Sequence, residues 1–188
     1  METGVAQQDV TPLPERLARL RDGDADSLRG VIDEFGPKLL NFVYRMVGDR
    51  SAAEDLTQEV FVKLLSHADE IRDERLLGTW LYSVARNHSI NHLRSRKTAQ
   101  RNRPEPPAEP SRPDEAAGRR ELAEAVQRAL DGLEEPFRTT FVLCVMQEMS
   151  YEEAAQAMSC SVKTVSSRLF RARDKFRELM RPYLYEVR

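Results

Sequence analysis

A chain of 188 residues, 40% hydrophobic and 32% charged, has room for one or two small domains and for a real core. It holds no apolar run long enough to span a bilayer, and its first residues, METGVAQQDV, lack the basic and apolar segments of a signal peptide, so a cytoplasmic protein without membrane insertion is expected. Cys144 and Cys160 are too few and too far apart for a metal cluster and read as small core residues.

The net charge of −2 is an average over unlike segments. Between Arg86 and Arg103 the charged residues are Arg86, Arg94, Arg96, Lys97, Arg101 and Arg103, all basic. From Lys163 to Arg177 the basic residues face Asp174 alone, whereas from Ser51 to Glu70 the acids Glu54, Asp55, Glu59, Asp69 and Glu70 face only Lys63. Separated basic and acidic surfaces imply two kinds of partner, one of them polyanionic.

In chain order, residues 1–13 are polar and expected to be loose. A short helix is expected from Pro14 to Leu20, with a turn at Asp22-Gly23-Asp24. Asp24 to Val47 reads as helical from the spacing of Leu28, Val31, Ile32, Phe35, Leu39, Phe42, Val43 and Met46, with Gly36-Pro37 expected to kink or divide it. Ser51-Ala-Ala-Glu54 has the form of a capping box and opens a helix to about Ser66. In that helix Ala53, Leu56, Val60 and Leu64 form a core face; Asp55, Gln58, Glu59 and Val62 line the opposite one. A charge run on a helix is commonly just solvated, but Val62 among the acids suits a contact surface for a basic helix.

After a polar connection from His67 to Gly78, Thr79 is expected to cap a helix running to Lys97. Its first half (Trp80, Leu81, Tyr82, Val84, Ala85) suits burial in a bundle, and its second half is basic. Asn87, Asn91 and Arg94, at i, i+4 and i+7, share one face. Amides and guanidinium groups make paired hydrogen bonds to base edges, so this helix end is a candidate DNA reader; the plain alternative is a solvated helix end. Residues 99–117, with Pro104, Pro106, Pro107, Pro110 and Pro113, read as a semi-rigid linker.

Beyond it, Leu122, Val126, Ala129 and Leu130 form one expected core stripe. Pro136 begins a helix with Phe137, Phe141, Val142, Val145 and Met146 inward. Ser150-Tyr-Glu-Glu153 is a second capping box, and after Ser159-Cys160, Ser161 caps a last helix to about Leu179. Two helices joined by a tight turn make a helix-turn-helix. Val162, Val165, Leu169, Ala172 and Phe176 should face the core, leaving Lys163, Ser167, Phe170, Arg171 and Asp174 on the far side with Ser166 flanking. Phe170 amid basic residues suits a thymine methyl in the major groove. Arg168, Arg173 and Lys175 suit phosphate contacts. The alternative is an ordinary helical hairpin with a basic solvated face.

His88 and His92 are four apart on a helix, but Ser89 stands where a zinc peptidase needs Glu and no third ligand is evident, so neither metal nor cofactor is expected. With no phosphate-cradling glycine loop and no Gly-x-Ser-x-Gly elbow, an enzyme is not expected.

Three blocks, AEDLTQEVFVKL (53–64), TWLYSVARNHSINHLRSRK (79–97) and MSYEEAAQAMSCSVKTVSSRLFRARDKF (149–176), resemble regions 2.2, 2.3–2.4 and 4.2 of the bacterial sigma factors, in particular the extracytoplasmic-function type of the sigma-70 family. The resemblance covers roughly Glu15 to Leu184. It implies an all-α fold of two small helical domains, a region 2-like bundle (14–98) and a region 4-like helix-turn-helix bundle (118–188), joined by the Pro-rich linker (99–117) behind a flexible N-terminus (1–13). It further implies binding to core RNA polymerase through the β′ clamp helices and the β flap, binding to promoter DNA, assistance in promoter melting, and control by an anti-sigma factor.

By the same resemblance, Asp55, Gln58 and Glu59 would bind polymerase, and Val62, on their helix face, is a candidate beside them. Asn87 and Asn91 would read the −10 element, with 67–78 capturing a flipped base, and the basic Arg94, Arg96 and Lys97 of the same helix end are candidates for contact with it. Ser166, Ser167, Phe170 and Arg171 would contact bases of the −35 element, and Lys163, Arg168 and Arg173, from their place on the basic helix, are candidates for contact with it. The chain departs from the family pattern at Ser166 (commonly Lys or Arg), which implies an altered or weaker −35 preference, and also at Asn91 (Asp), His88 (Leu) and Ser159 (Gly). The rival expectation is a conventional helix-turn-helix regulator with an N-terminal ligand or dimerisation domain; a third is a helical adaptor, which leaves both basic faces unexplained.

Overall fold

The computed structural model describes residues 13–71, 73–100 and 115–184. Among these no strand occurs, and eight α-helices follow one another: α1 (Leu13–Arg21), α2 (Ala25–Val47), α3 (Arg50–His67), α4 (Leu77–Gln100), α5 (Glu115–Asp131), α6 (Glu135–Phe141), α7 (Tyr151–Ala157) and α8 (Val162–Leu184). Residues 1–12, and residues 101–114 with the prolines of the expected linker, lie outside the described residues; helix α4 takes in Ala99 and Gln100, and α5 begins at Glu115.

Asp24 opens α2: its carboxylate accepts from the Ser27 hydroxyl at 2.6 Å and from the Ser27 N–H at 2.9 Å. These bonds, the hydroxyl's first, hold the Asp24 carboxyl below its ordinary pKa. Pro37 does not divide the helix. It is exposed and forfeits one backbone hydrogen bond, but Leu39, Phe42, Val43 and Met46 beyond it are fully buried, so packing carries the helix through. Gly48, left-handed at φ 73°, closes α2 by donating its N–H to the Tyr44 carbonyl at 2.8 Å.

The capping box expected at Ser51 does not form. With α2 ended at Val47 by Gly48, Asp49 stands between the two helices, extended, and accepts from the Ala52 N–H at 2.9 Å. Ser51 then lies inside the first turn of α3, and Glu54 pairs with Arg50 at 2.9 Å instead. Thr79 is not a cap either. Asp73 accepts from the Arg75 N–H at 3.0 Å to start a 3-10 turn, Glu74–Leu76, and α4 continues from it, leaving Thr79 buried. Gly78 serves contact: a Cβ there would come 3.1 Å from the Phe35 ring. The connection from α3 to α4 is anchored, with Ala68, Ile71 and Leu77 buried and Arg21 of α1 donating to the carbonyls of Ala68 and Ile71.

In the second half, α5 lays Ala125 and Ala129 against Met180, and these small residues let α8 approach closely. At Gly132 a Cβ would lie 2.9 Å from the Leu179 side chain. Leu122, expected inward, is 53% exposed. Val145 was also expected inward, but Val142–Met146 form a π turn whose extra residue rotates it to the surface. Val162, the first residue of α8, is exposed, so that helix's core face begins at Val165.

One apolar cluster runs through both halves. Phe42 meets Tyr82 edge-on at 5.4 Å, and Phe141 stacks on Phe176 at 4.5 Å. Polar bonds reinforce the seam. Arg138 of α6 donates to the Met46 carbonyl at 2.7 Å and to the Asp131 carbonyl at 2.9 Å. Gln127 donates to the Arg45 carbonyl at 3.3 Å, the Tyr82 hydroxyl donates to the Gln147 side-chain oxygen at 2.9 Å, and Arg86 donates to Glu135 at 3.0 Å. Burial pushes the Tyr82 hydroxyl up to about 12 and the Arg138 guanidinium down, the latter against the pull of Asp131 and Glu135.

Candidate nucleic-acid and partner interfaces

Helix α3 separates its two faces as its periodicity requires. Ala53, Val60 and Leu64 are fully buried and Leu56 nearly so, which fixes the helix on α2 and α4. Asp55, Gln58, Glu59 and Val62 are thereby held outward, Val62 at 63% exposure. With Lys63, Ser66, His67 and His88 they line a recess of about 550 Å³ between α3 and α4. Its carboxylates make it an acceptor for cationic side chains. Beside it lies an apolar groove of about 460 Å³ between α2 and α3, lined by Leu28, Ile32, Leu40, Phe61 and Leu65 and sharing Gln58 and Val62 with the recess. The sequence reading missed this groove. Leu65, half-exposed next to Ser66, was the available signal: an apolar residue off the core face.

Helix α4 is rooted by Leu81, Tyr82, Val84 and Ala85, all buried, and by Ser89, whose hydroxyl donates back to the Ala85 carbonyl at 2.8 Å. Beyond that root Asn87, Asn91, Arg94 and Lys97 are exposed and Arg96 is half-exposed, so the expected face is open to a ligand. Arg86 is the exception. It turns into the seam between the halves, where Glu135 holds it and only 21% of its side chain remains exposed.

The helix-turn-helix is built as its capping residues dictate. In the box at α7, the Ser150 hydroxyl accepts from the Glu153 N–H at 3.2 Å and the Glu153 carboxylate accepts from the Ser150 N–H at 2.8 Å. Ser159 turns the chain in the left-handed region, φ 50°, and Ser161 caps α8 by accepting from the Thr164 N–H at 3.1 Å. Ala154, Ala155 and Ala157 of α7 and Val165, Leu169 and Ala172 of α8 are buried. Outward stand Lys163, Ser166, Ser167, Phe170, Arg171 and Arg173, with Arg168 half-exposed. Phe170, at 77%, is the most exposed large apolar side chain among the described residues. The Ser167 hydroxyl donates to the Thr164 carbonyl at 3.0 Å, so it offers a ligand chiefly its lone pairs.

Cys144 and Cys160 are half-buried free thiols, and burial raises the pKa of Cys144. Among the described residues no three His, Cys, Asp or Glu side chains gather as a metal site, and no helix is long and apolar enough to cross a membrane.

Residues 31–99 match the family described as Sigma-70 region 2, and residues 123–176 match the one described as Sigma-70, region 4. The RNA polymerase sigma-H factor of Pseudomonas aeruginosa is 31% identical over 195 residues, covering 97% of this chain and 100% of the relative. The ECF RNA polymerase sigma-E factor of Escherichia coli (strain K12) is 30% identical over 186 residues, covering 89% of this chain and 94% of the relative. In fold, the chain is similar to CnrH in its complex with the cytosolic domain of CnrY, with a TM-score of 0.70 at 24% identity over 90% of this chain and 97% of that one.

Proposed function

The chain belongs to the sigma-70 family, among its extracytoplasmic-function sigma factors, and from that premise we propose how its surfaces divide the work of directing RNA polymerase to promoters. The outward face of α3, Asp55, Gln58, Glu59 and Val62, docks the β′ clamp helices of the core enzyme. Asn87 and Asn91 read the −10 element while Arg94, Arg96 and Lys97 hold its backbone. Phe170 and Arg171, with Ser166 and Ser167, read the −35 element in the major groove, and Lys163, Arg168 and Arg173 position α8 on phosphates. Strand opening draws on binding energy through capture of unpaired bases, whose flipping costs a few kcal/mol. The factor works without catalytic residues of its own, in the cytoplasm, and an anti-sigma factor is among its partners.

What carries this reading over that of a conventional helix-turn-helix regulator is the exposed acidic ridge of α3, which a DNA-binding protein alone has no use for. The test is binding of the purified chain to core RNA polymerase. Asp55→Lys with Glu59→Lys should abolish binding while the helical circular-dichroism signal shows the chain still folded, since both side chains are exposed. Undiminished binding by the pair would overturn the assignment.

A further inference from the structure

One hydrogen bond joins the acidic ridge to the helix beside it. His88 Nδ1 of α4 lies 2.7 Å from Glu59 Oε2 of α3. An ionised carboxylate can only accept, so the imidazole donates through Nδ1–H. The His88 side chain is 22% exposed and Glu59's is 58% exposed. The donor is thus held by its packing and the acceptor is otherwise free to swing. Both line the recess that also holds Asp55, Gln58, Ser66 and His67. The second imidazole, His67, is engaged elsewhere, its Nδ1 lying 3.0 Å from the Lys63 carbonyl of its own helix.

Resting on the assignment of this ridge to polymerase docking, we propose that His88 is a positioning residue for that interface: its Nδ1–H fixes the Glu59 carboxylate over the recess, so that a cationic side chain of the partner helix meets a preset acceptor. A carboxylate on a mobile side chain loses rotamer freedom when an arginine or lysine pairs with it, and that loss weakens exposed ion pairs. A donor held by its packing on the neighbouring helix meets part of that loss before the partner arrives. Glu59 keeps one carboxylate oxygen and the remaining lone pairs for the incoming cation, and Asp55, one turn away, adds a second acceptor to the same recess.

The test is a double-mutant cycle on the full chain, read as affinity for core RNA polymerase. His88→Leu keeps the volume and removes the donor; a several-fold loss of affinity is expected, about threefold to tenfold for one hydrogen bond. His88→Asn, whose amide N–H can occupy the place of Nδ1–H, should stay near the wild type, a rescue that a purely structural role would not give. In the Glu59→Ala background, His88→Leu should have no further effect. Wild-type affinity in His88→Leu, an Asn variant as weak as the Leu variant, or full additivity with Glu59→Ala would each overturn the proposal while leaving the ridge assignment standing. Unchanged affinity in Glu59→Ala would end that assignment and the proposal together.

Discussion

Phe170 and Arg173 stand on the same helix and should answer to different variables. Phe170 is a 77% exposed ring flanked by Lys163, Ser167 and Arg171, and water is a poor reason for it. Phe170→Ala or Arg171→Ala should lose about 1–3 kcal/mol of discrimination between −35 sequences, measured by competition between promoter fragments. Arg173→Ala should weaken all sequences alike. Tyr82 makes a prediction about pH. Its hydroxyl donates to Gln147 across the seam, and burial raises its pKa to about 12. Near neutrality Tyr82→Phe should cost about 1 kcal/mol of stability, the worth of one hydrogen bond. A phenol with a raised folded-state pKa contributes stability below its unfolded value, about 10, and loses it as pH climbs towards its folded value. The stability gap between wild type and Tyr82→Phe, read from urea midpoints, should therefore close between pH 10 and about 12.

Helix boundaries decide which residues are free to act, and they separate what sequence can reveal from what it cannot. The box at Ser150 and Glu153 was legible because both partners of its bonds lie within four residues, and both bonds form. The same pattern at Ser51 and Glu54 misled, because the start of α3 is set by where α2 ends, at a left-handed Gly48. Asp49→Ala should accordingly cost about 1 kcal/mol and Ser51→Ala close to nothing, a comparison that thermal denaturation settles. Which faces of α3, α4 and α8 point outward was also legible, since a 3.6-residue period fixes them once the core residues are known. Val145 was misjudged for a reason no local pattern carries: a π turn that shifts the register after Phe141.

At the scale of the whole chain, length and composition allowed one or two small domains and the prolines suggested a linker; in the structure one apolar cluster joins the two halves. Residues far apart in sequence meet there: Arg138 with the Met46 carbonyl, Tyr82 with Gln147, Arg86 with Glu135. No periodicity announces such pairs, because each needs the seam to exist before it can form. The Arg86–Glu135 pair has a consequence for ionic strength. Among the cations of α4, Arg86 is already neutralised from within, so it displaces no ions from a phosphate backbone while the two halves stay together. Each phosphate a protein neutralises steepens the fall of log K with log salt by about 0.9. The slope for promoter DNA should therefore be the same in Arg86→Gln as in wild type for as long as Glu135 keeps its hold. A wild-type slope steeper by about one such step would report, without any structural probe, that the seam has parted.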